Sequence, residues 1–135
     1  MSSQRIHFIT DSTSDIPPEM LAGLPVTVVP TFVNFGGNSY PDDNVQLNRQ
    51  EFYEQLSSMR PFPTTAAMSP AMATDAIRDA MGKSDHVIIC TVSSKLSGVY
   101  NTMRLAASEF PAEKYTLIDS NQVAMGLGWQ VIIGV

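Results

Sequence analysis

The run Val87-Ile88-Ile89-Cys90, inside a strand expected over Asp85–Val92, is apolar at every position rather than at alternate ones. A strand of that kind is covered on both faces, which is the condition of a parallel sheet with helices above and below it. The next residues fit the same architecture. Thr91-Val92-Ser93-Ser94-Lys95-Leu96-Ser97-Gly98 is a polar turn, and Val99, Met103, Ala106 and Phe110 then recur at helical spacing. Parallel strands need such crossovers, because a tight hairpin cannot join them.

The rest of the chain also alternates strands and helices. Ile6 to Thr10 reads as a first strand, closed by the small polar cluster Asp11-Ser12-Thr13-Ser14-Asp15. Pro17-Pro18 and Gly23 bracket a short helix. Val26 to Phe35 is a second strand region, broken at Pro30, which lacks an amide donor. Gly36-Gly37-Asn38-Ser39 is a turn, with a short returning strand near Tyr40. Asn48 and Glu51 have capping spacing and open a helix from Arg49 to Ser58. The prolines of Arg60-Pro61-Phe62-Pro63 exclude a helix there. Ser69-Pro70 starts another helix, which Gly82 stops, and the helix from Ser97 to about Glu109 is stopped by Pro111. Tyr115 to Ile118 is the fourth strand. The fold class is therefore α/β: a mostly parallel sheet of about four strands with helices on both faces.

From Asn121 to Val135 no residue is charged, and apolar side chains occupy more than one helical face. A helix of this kind is expected to be buried all round. It calls for a partner surface, either a continuation of the chain or another subunit.

Composition narrows the function. A net charge of -5, with eight scattered Lys and Arg, argues against nucleic-acid binding and against polybasic attachment to a membrane. No apolar run is long enough for stable insertion into a bilayer, and Met1 to Arg5 has no signal-peptide character. The single cysteine, Cys90, lies in an apolar strand and suits a reducing, cytoplasmic setting. One Cys with His7 and His86 has no metal-ligand spacing, so neither a metal nor any other cofactor is expected.

The chemistry is expected at the strand ends. In a parallel sheet the carboxyl ends of the strands share one edge, which brings Asp11, Ser12, Ser93, Ser94, Ser97 and Asp119 together. Ser97-Gly98 lies at a helix start, where free amides serve a cap and an anion equally. The turn lacks the spacing of a phosphate-binding P-loop. Hydroxyls and amides with little positive charge suit a carboxylate or a single phosphate. Asp11 and Asp119 read either as an acid-base pair or as carboxylates that cap loops. Thr64-Thr65 reads equally as loop or as ligand contact.

Several segments together resemble the DegV family of bacterial lipid-binding proteins. They are Ile9-Thr10-Asp11-Ser12-Thr13-Ser14-Asp15, the Val-Val-Pro ending at Pro30, Phe35-Gly36 with Tyr40-Pro41-Asp42, and Glu51-Phe52-Tyr53. Further along come Pro63-Thr64-Thr65, Ser93-Ser94-Lys95-Leu96-Ser97-Gly98-Val99-Tyr100, and Ile118-Asp119-Ser120 with Met125-Gly126-Leu127-Gly128. The resemblance implies a two-lobed protein that buries a fatty acid and hydrogen-bonds its carboxylate, in some members presenting the acid to a separate fatty acid kinase. It implies that Thr65 and Ser97 are the carboxylate ligands, with Ser94 and Gly98 as neighbours. Ala66-Ala67-Met68 stands where Ser-Gln-Pro is typical of the family. It further implies that residues 1–135 form the N-terminal lobe and stop before the second.

Three functions are expected from these residues. The first is a non-enzymatic fatty-acid carrier. The second is an enzyme acting on a small phosphorylated or carboxylated substrate through Asp11 or Asp119. The third is a non-catalytic module that forms a homodimer through its apolar C-terminal helix.

Overall fold

A computed structural model describes residues 3–135; Met1 and Ser2, part of the segment without signal-peptide character, lie outside the described residues. In chain order the elements are β1 (Ile6–Asp11), a 3-10 turn (Ser12–Ser14), α1 (Pro18–Leu21), β2 (Val26–Val29), β3 (Phe32–Phe35), β4 (Asn38–Pro41), α2 (Arg49–Leu56), β5 (Thr64–Ala66), α3 (Pro70–Lys83), β6 (His86–Thr91), α4 (Val99–Ala107), a second 3-10 turn (Ala112–Lys114), β7 (Tyr115–Asp119) and α5 (Met125–Gly134).

The four strands expected from the apolar runs form one parallel sheet in the order β2-β1-β6-β7. Helices lie on both of its faces. His7 faces the α3 side, where Lys83 and Asp79 act on its ring. Its neighbour Phe8 points the other way and meets α5 at Gly134. Ile9, Val87, Ile89, Ile77, Met103, Leu127 and Val131 are fully buried. Each such side chain contributes about 1.5–3 kcal/mol of transfer free energy, which makes this core the main source of stability.

Two caps are placed where their spacing predicts them. Asn48 Oδ1 accepts from the Glu51 amide at 3.1 Å, and Ser69 Oγ accepts from the Met72 amide at 3.2 Å. Each is worth about 1 kcal/mol. The start of α4 differs from expectation. Gly98, not Ser97, occupies the cap position, and as a glycine it offers no side-chain acceptor.

The region Val26–Phe35 is two strands in two different sheets rather than one interrupted strand. Pro30 ends β2, and β3 then becomes the centre of a separate antiparallel sheet ordered β4-β3-β5. Gly36 and Gly37, at φ 58° and 77°, make the two-residue turn between β3 and β4, a conformation that disfavours any side chain. The third member, β5, contains Thr64-Thr65, for which the sequence predicts no strand.

The terminal helix is shorter than the charge-free run. Asn121 and Ala124 take positive φ of 54° and 53°, so the helix begins only at Met125. Its inner face is buried at Leu127, Gly128 and Val131, but its outer stripe is open, with Trp129 51% and Ile133 81% exposed. In this fold the helix is therefore covered on one side, not all round.

Candidate functional site

The carboxyl edge of the parallel sheet faces the β5 edge of the antiparallel one, and between them lies a cleft of about 380 Å³. Each wall comes from a different part of the chain. Thr13 follows β1, Thr31 follows β2, and Val92 follows β6. Leu96, Ser97 and Gly98 come from the turn into α4, while Thr65, Ala66 and Ala67 come from β5 and its exit. Val123 closes one side from the loop before α5. A strand-edge crevice of this type is the ordinary ligand position in an open α/β sheet.

The lining, among the described residues, is uncharged: four hydroxyl side chains, one glycine and five apolar residues. Ser97 Oγ accepts from the Val99 amide at 3.3 Å, which leaves its own proton free to donate. The Tyr100 and Asn101 amides, next in the first turn of α4, have no intrahelical acceptor. Together with the positive end of the helix dipole they favour an anion at Ser97 and Gly98. Gly98 has an ordinary φ of -74°, and a Cβ built there meets nothing within 4 Å. Neither backbone conformation nor internal packing requires glycine at this position. What the missing side chain leaves is room for a close approach from the cleft.

The structure thus brings together Thr65, Ser97 and Gly98. None of the remaining candidates lines the cleft. Asp11 is completely buried, and both of its carboxylate oxygens are in use. Its Oδ1 accepts from the amide and hydroxyl of Thr13, and its Oδ2 accepts from the Val92 amide at 2.9 Å. It thereby ties two walls of the cleft to each other. Ser12 is buried and shares a 2.8 Å hydrogen bond between its hydroxyl and that of Thr31, whose amide it also accepts at 3.0 Å. Ser94 and Asp119 are paired outside the cleft. The Ser94 amide donates to Asp119 Oδ1 at 3.1 Å, and the Ser94 hydroxyl donates to Oδ2. These bonds, the Ser94 hydroxyl first, hold the Asp119 carboxyl below its ordinary value. Asp119 therefore anchors the turn that carries Ser97.

Thr13 and Thr31 line the cleft and were not singled out from the sequence. Thr13 sits in the polar cluster after β1, and Thr31 follows the break at Pro30. A threonine just past a parallel strand is the signal that finds both. Cys90 takes no part: it is buried, its Sγ lies 3.8 Å from Gln130 Oε1, and burial pushes its thiol up to about 11. No group of three or more His, Cys, Asp or Glu among the described residues is arranged to hold a metal. No described helix is long and apolar enough to cross a membrane.

Comparison with known proteins places this geometry. The family described as "Uncharacterised protein, DegV family" matches residues 5–134. A DegV domain-containing protein of Deinococcus radiodurans is 41% identical over 127 residues, which is 94% of this chain and 44% of the relative. Among solved structures, one described as "Fatty Acid Binding of a DegV family Protein from Thermus thermophilus" superimposes with a TM-score of 0.87 at 36% identity, over 96% of this chain and 45% of the other. A stearic acid-binding protein from Eubacterium ventriosum superimposes with a TM-score of 0.81 at 27% identity, over 93% and 45%. The chain spans about half the length of the curated relatives it matches. A family match over residues 5–134, with a relative 41% identical over 94% of the chain, makes this chain a member of the DegV family.

Proposed function

We propose that this chain binds a long-chain fatty acid and holds its carboxylate in the cleft between Thr65 and Ser97. The observation that carries the reading is the meeting of those two hydroxyls and Gly98 in one uncharged cleft, from elements far apart in sequence. Two hydroxyl donors and helix-start amides suit a carboxylate, and the apolar lining at Ala66, Ala67, Val92, Leu96 and Val123 suits the methylenes next to it. The solved relatives described as binding fatty acid support the same ligand class.

The carrier reading is favoured over the enzyme. Asp11 and Asp119 are both occupied by N–H and O–H donors, and neither lines the cleft. We assign phosphorylation of the presented acid to a separate fatty acid kinase. The chain is taken to correspond to the N-terminal lobe of its longer relatives, working in the cytoplasm. The open stripe of Trp129 and Ile133 favours a second, compatible reading in which α5 contacts another copy of this chain. Sedimentation across a concentration series tests that contact, and a monomer at every concentration contradicts it.

Lipid extraction and mass spectrometry of the purified protein test the main reading. Copurifying fatty acid that is depleted in Ser97→Ala is the expected result. Protein that emerges without fatty acid from every host, and binds none when it is supplied, contradicts it.

A further inference from the structure

The segment Phe32–Ala66 leaves the main fold after β2 and returns to it before α3. It has an apolar centre of its own. Phe35 stacks on Tyr40 at 4.7 Å and meets Phe52 at 5.5 Å, and Leu47 is buried. None of these residues belongs to the continuous core around the parallel sheet, whereas Val29 and Met68, just outside the segment, do. The segment is a separately packed insert, joined to the body through Pro30-Thr31 on one side and Ala67 on the other.

The strand order β4-β3-β5 gives this insert leverage. Its middle strand, β3, enters directly from Thr31, which Ser12 pins through hydroxyl and amide. Its β5 edge carries Thr65 and Ala66 into the cleft that holds Ser97. Beyond its β4 edge, Asp42, Asp43 and Arg49 form one wall of a second cleft of about 190 Å³, and Ser14, Asp15 and Ile16 of the body form the other. The two clefts thus flank one pinned contact.

We infer that the insert rocks as one body about the Ser12–Thr31 contact, narrowing one cleft as it widens the other, with Asp15 facing the Asp42–Arg49 pair as its latch. Arg49 Nε donates to Asp42 Oδ1 at 2.9 Å. Burial holds the Asp15 carboxyl above its ordinary value, Arg49 attracts it, and Asp42 and Asp11 repel it. The Arg49 attraction draws the β4 edge towards Asp15 and tips Thr65 away from Ser97. A carboxylate bridging Thr65 and Ser97 tips the insert back. The rocking stands on this geometry alone, while its link to fatty acid rests on the proposed function.

The test is pulsed electron–electron resonance on the full chain, with nitroxides at Tyr53→Cys on α2 and Ser108→Cys after α4. Both positions are exposed, and the native thiol is buried. The perturbation is Asp15→Asn, because asparagine keeps the left-handed φ of 52° and removes only the charge. The ligand-free distance distribution is expected to shift in Asp15→Asn and again when palmitate is added, while a label pair inside the insert, at Ser39 and Tyr53, stays fixed. Palmitate release is expected to slow about two- to fivefold in the variant, the scale of a partly exposed ion pair. An unchanged ligand-free distribution in Asp15→Asn, or in Arg49→Gln should the first variant fail to fold, overturns the latch. A change within the insert overturns motion as one body. Failure to bind palmitate counts against the proposed function alone, because the ligand-free shift still decides the rocking.

Discussion

Asp11→Asn exchanges one buried oxygen for an amide group and leaves the shape of the side chain almost unchanged. The native carboxylate accepts three hydrogen bonds, from the Thr13 amide at 3.0 Å, the Thr13 hydroxyl, and the Val92 amide at 2.9 Å. Asparagine offers a single oxygen. Whichever way the amide turns, its NH2 group faces an N–H donor, at Thr13 or at Val92, and no water reaches the site because Asp11 is 0% exposed. One buried donor left unpaired costs about 1–3 kcal/mol, and the surviving bonds lose their charge assistance. Removing the desolvation cost of the carboxylate offsets part of this. The net loss is about 2–4 kcal/mol, or roughly 8–16 °C in Tm for a chain of this size. Thr13→Val removes one bond of the three and is expected to lower Tm by only about 4 °C. Thermal unfolding followed by circular dichroism measures both. An Asp11→Asn shift below about 3 °C, or one smaller than that of Thr13→Val, refutes the view that Asp11 ties the cleft walls together.

Gly128→Ala places a Cβ 2.6 Å from the Ser14 carbonyl oxygen and 3.0 Å from Ile16, so α5 must lift from the sheet edge; Tm should fall and amide exchange along α5 should quicken, despite the better helix propensity of alanine. Gly98→Ala meets open space at an ordinary φ, so it should change stability by less than about 1 kcal/mol while weakening palmitate binding in equilibrium dialysis. Equal binding would show that the head group does not approach Gly98. Asp119 has a lowered pKa in the fold, so its tie to Ser94 is complete above the unfolded value near 3.8 and is lost as pH falls through the folded one. Amide chemical shifts of Ser94 and Asn121 should therefore titrate together in acid, below the ordinary carboxylate range, and Asp119→Asn should abolish that transition.

The parallel sheet was legible because its evidence is local. Val87 to Cys90 is apolar at every position, and that alone implies cover on both faces. The caps Asn48 and Ser69 were legible for the same reason, since donor and acceptor lie three residues apart. The second sheet was not. Thr64–Ala66 is a strand only because Asn34 and Val33 lie beside it, and nothing within Pro61–Pro63 announces that pairing. The site was half legible. The sheet edge collected Asp11, Ser94, Ser97 and Asp119 as the polar clusters implied, yet hydrogen bonding turned Asp11, Ser94 and Asp119 into supports rather than lining. Thr65 joins Ser97 only through the antiparallel sheet, so its place was implied by family resemblance rather than by spacing. The terminal run shows a further limit of composition: lack of charge fixed its affinity for apolar surroundings, but two positive-φ residues decided where the helix starts.

Equilibrium dialysis of palmitate against the wild-type chain, Thr65→Val, Ser97→Ala and the double variant tests the central claim most directly. A hydrogen bond to a carboxylate is worth about 1.5–3 kcal/mol, so each single substitution should raise Kd about ten- to a hundredfold, with the double variant weaker still. Saturable binding that survives unchanged in the double variant would contradict the account, because the carboxylate would then be held somewhere other than between Thr65 and Ser97.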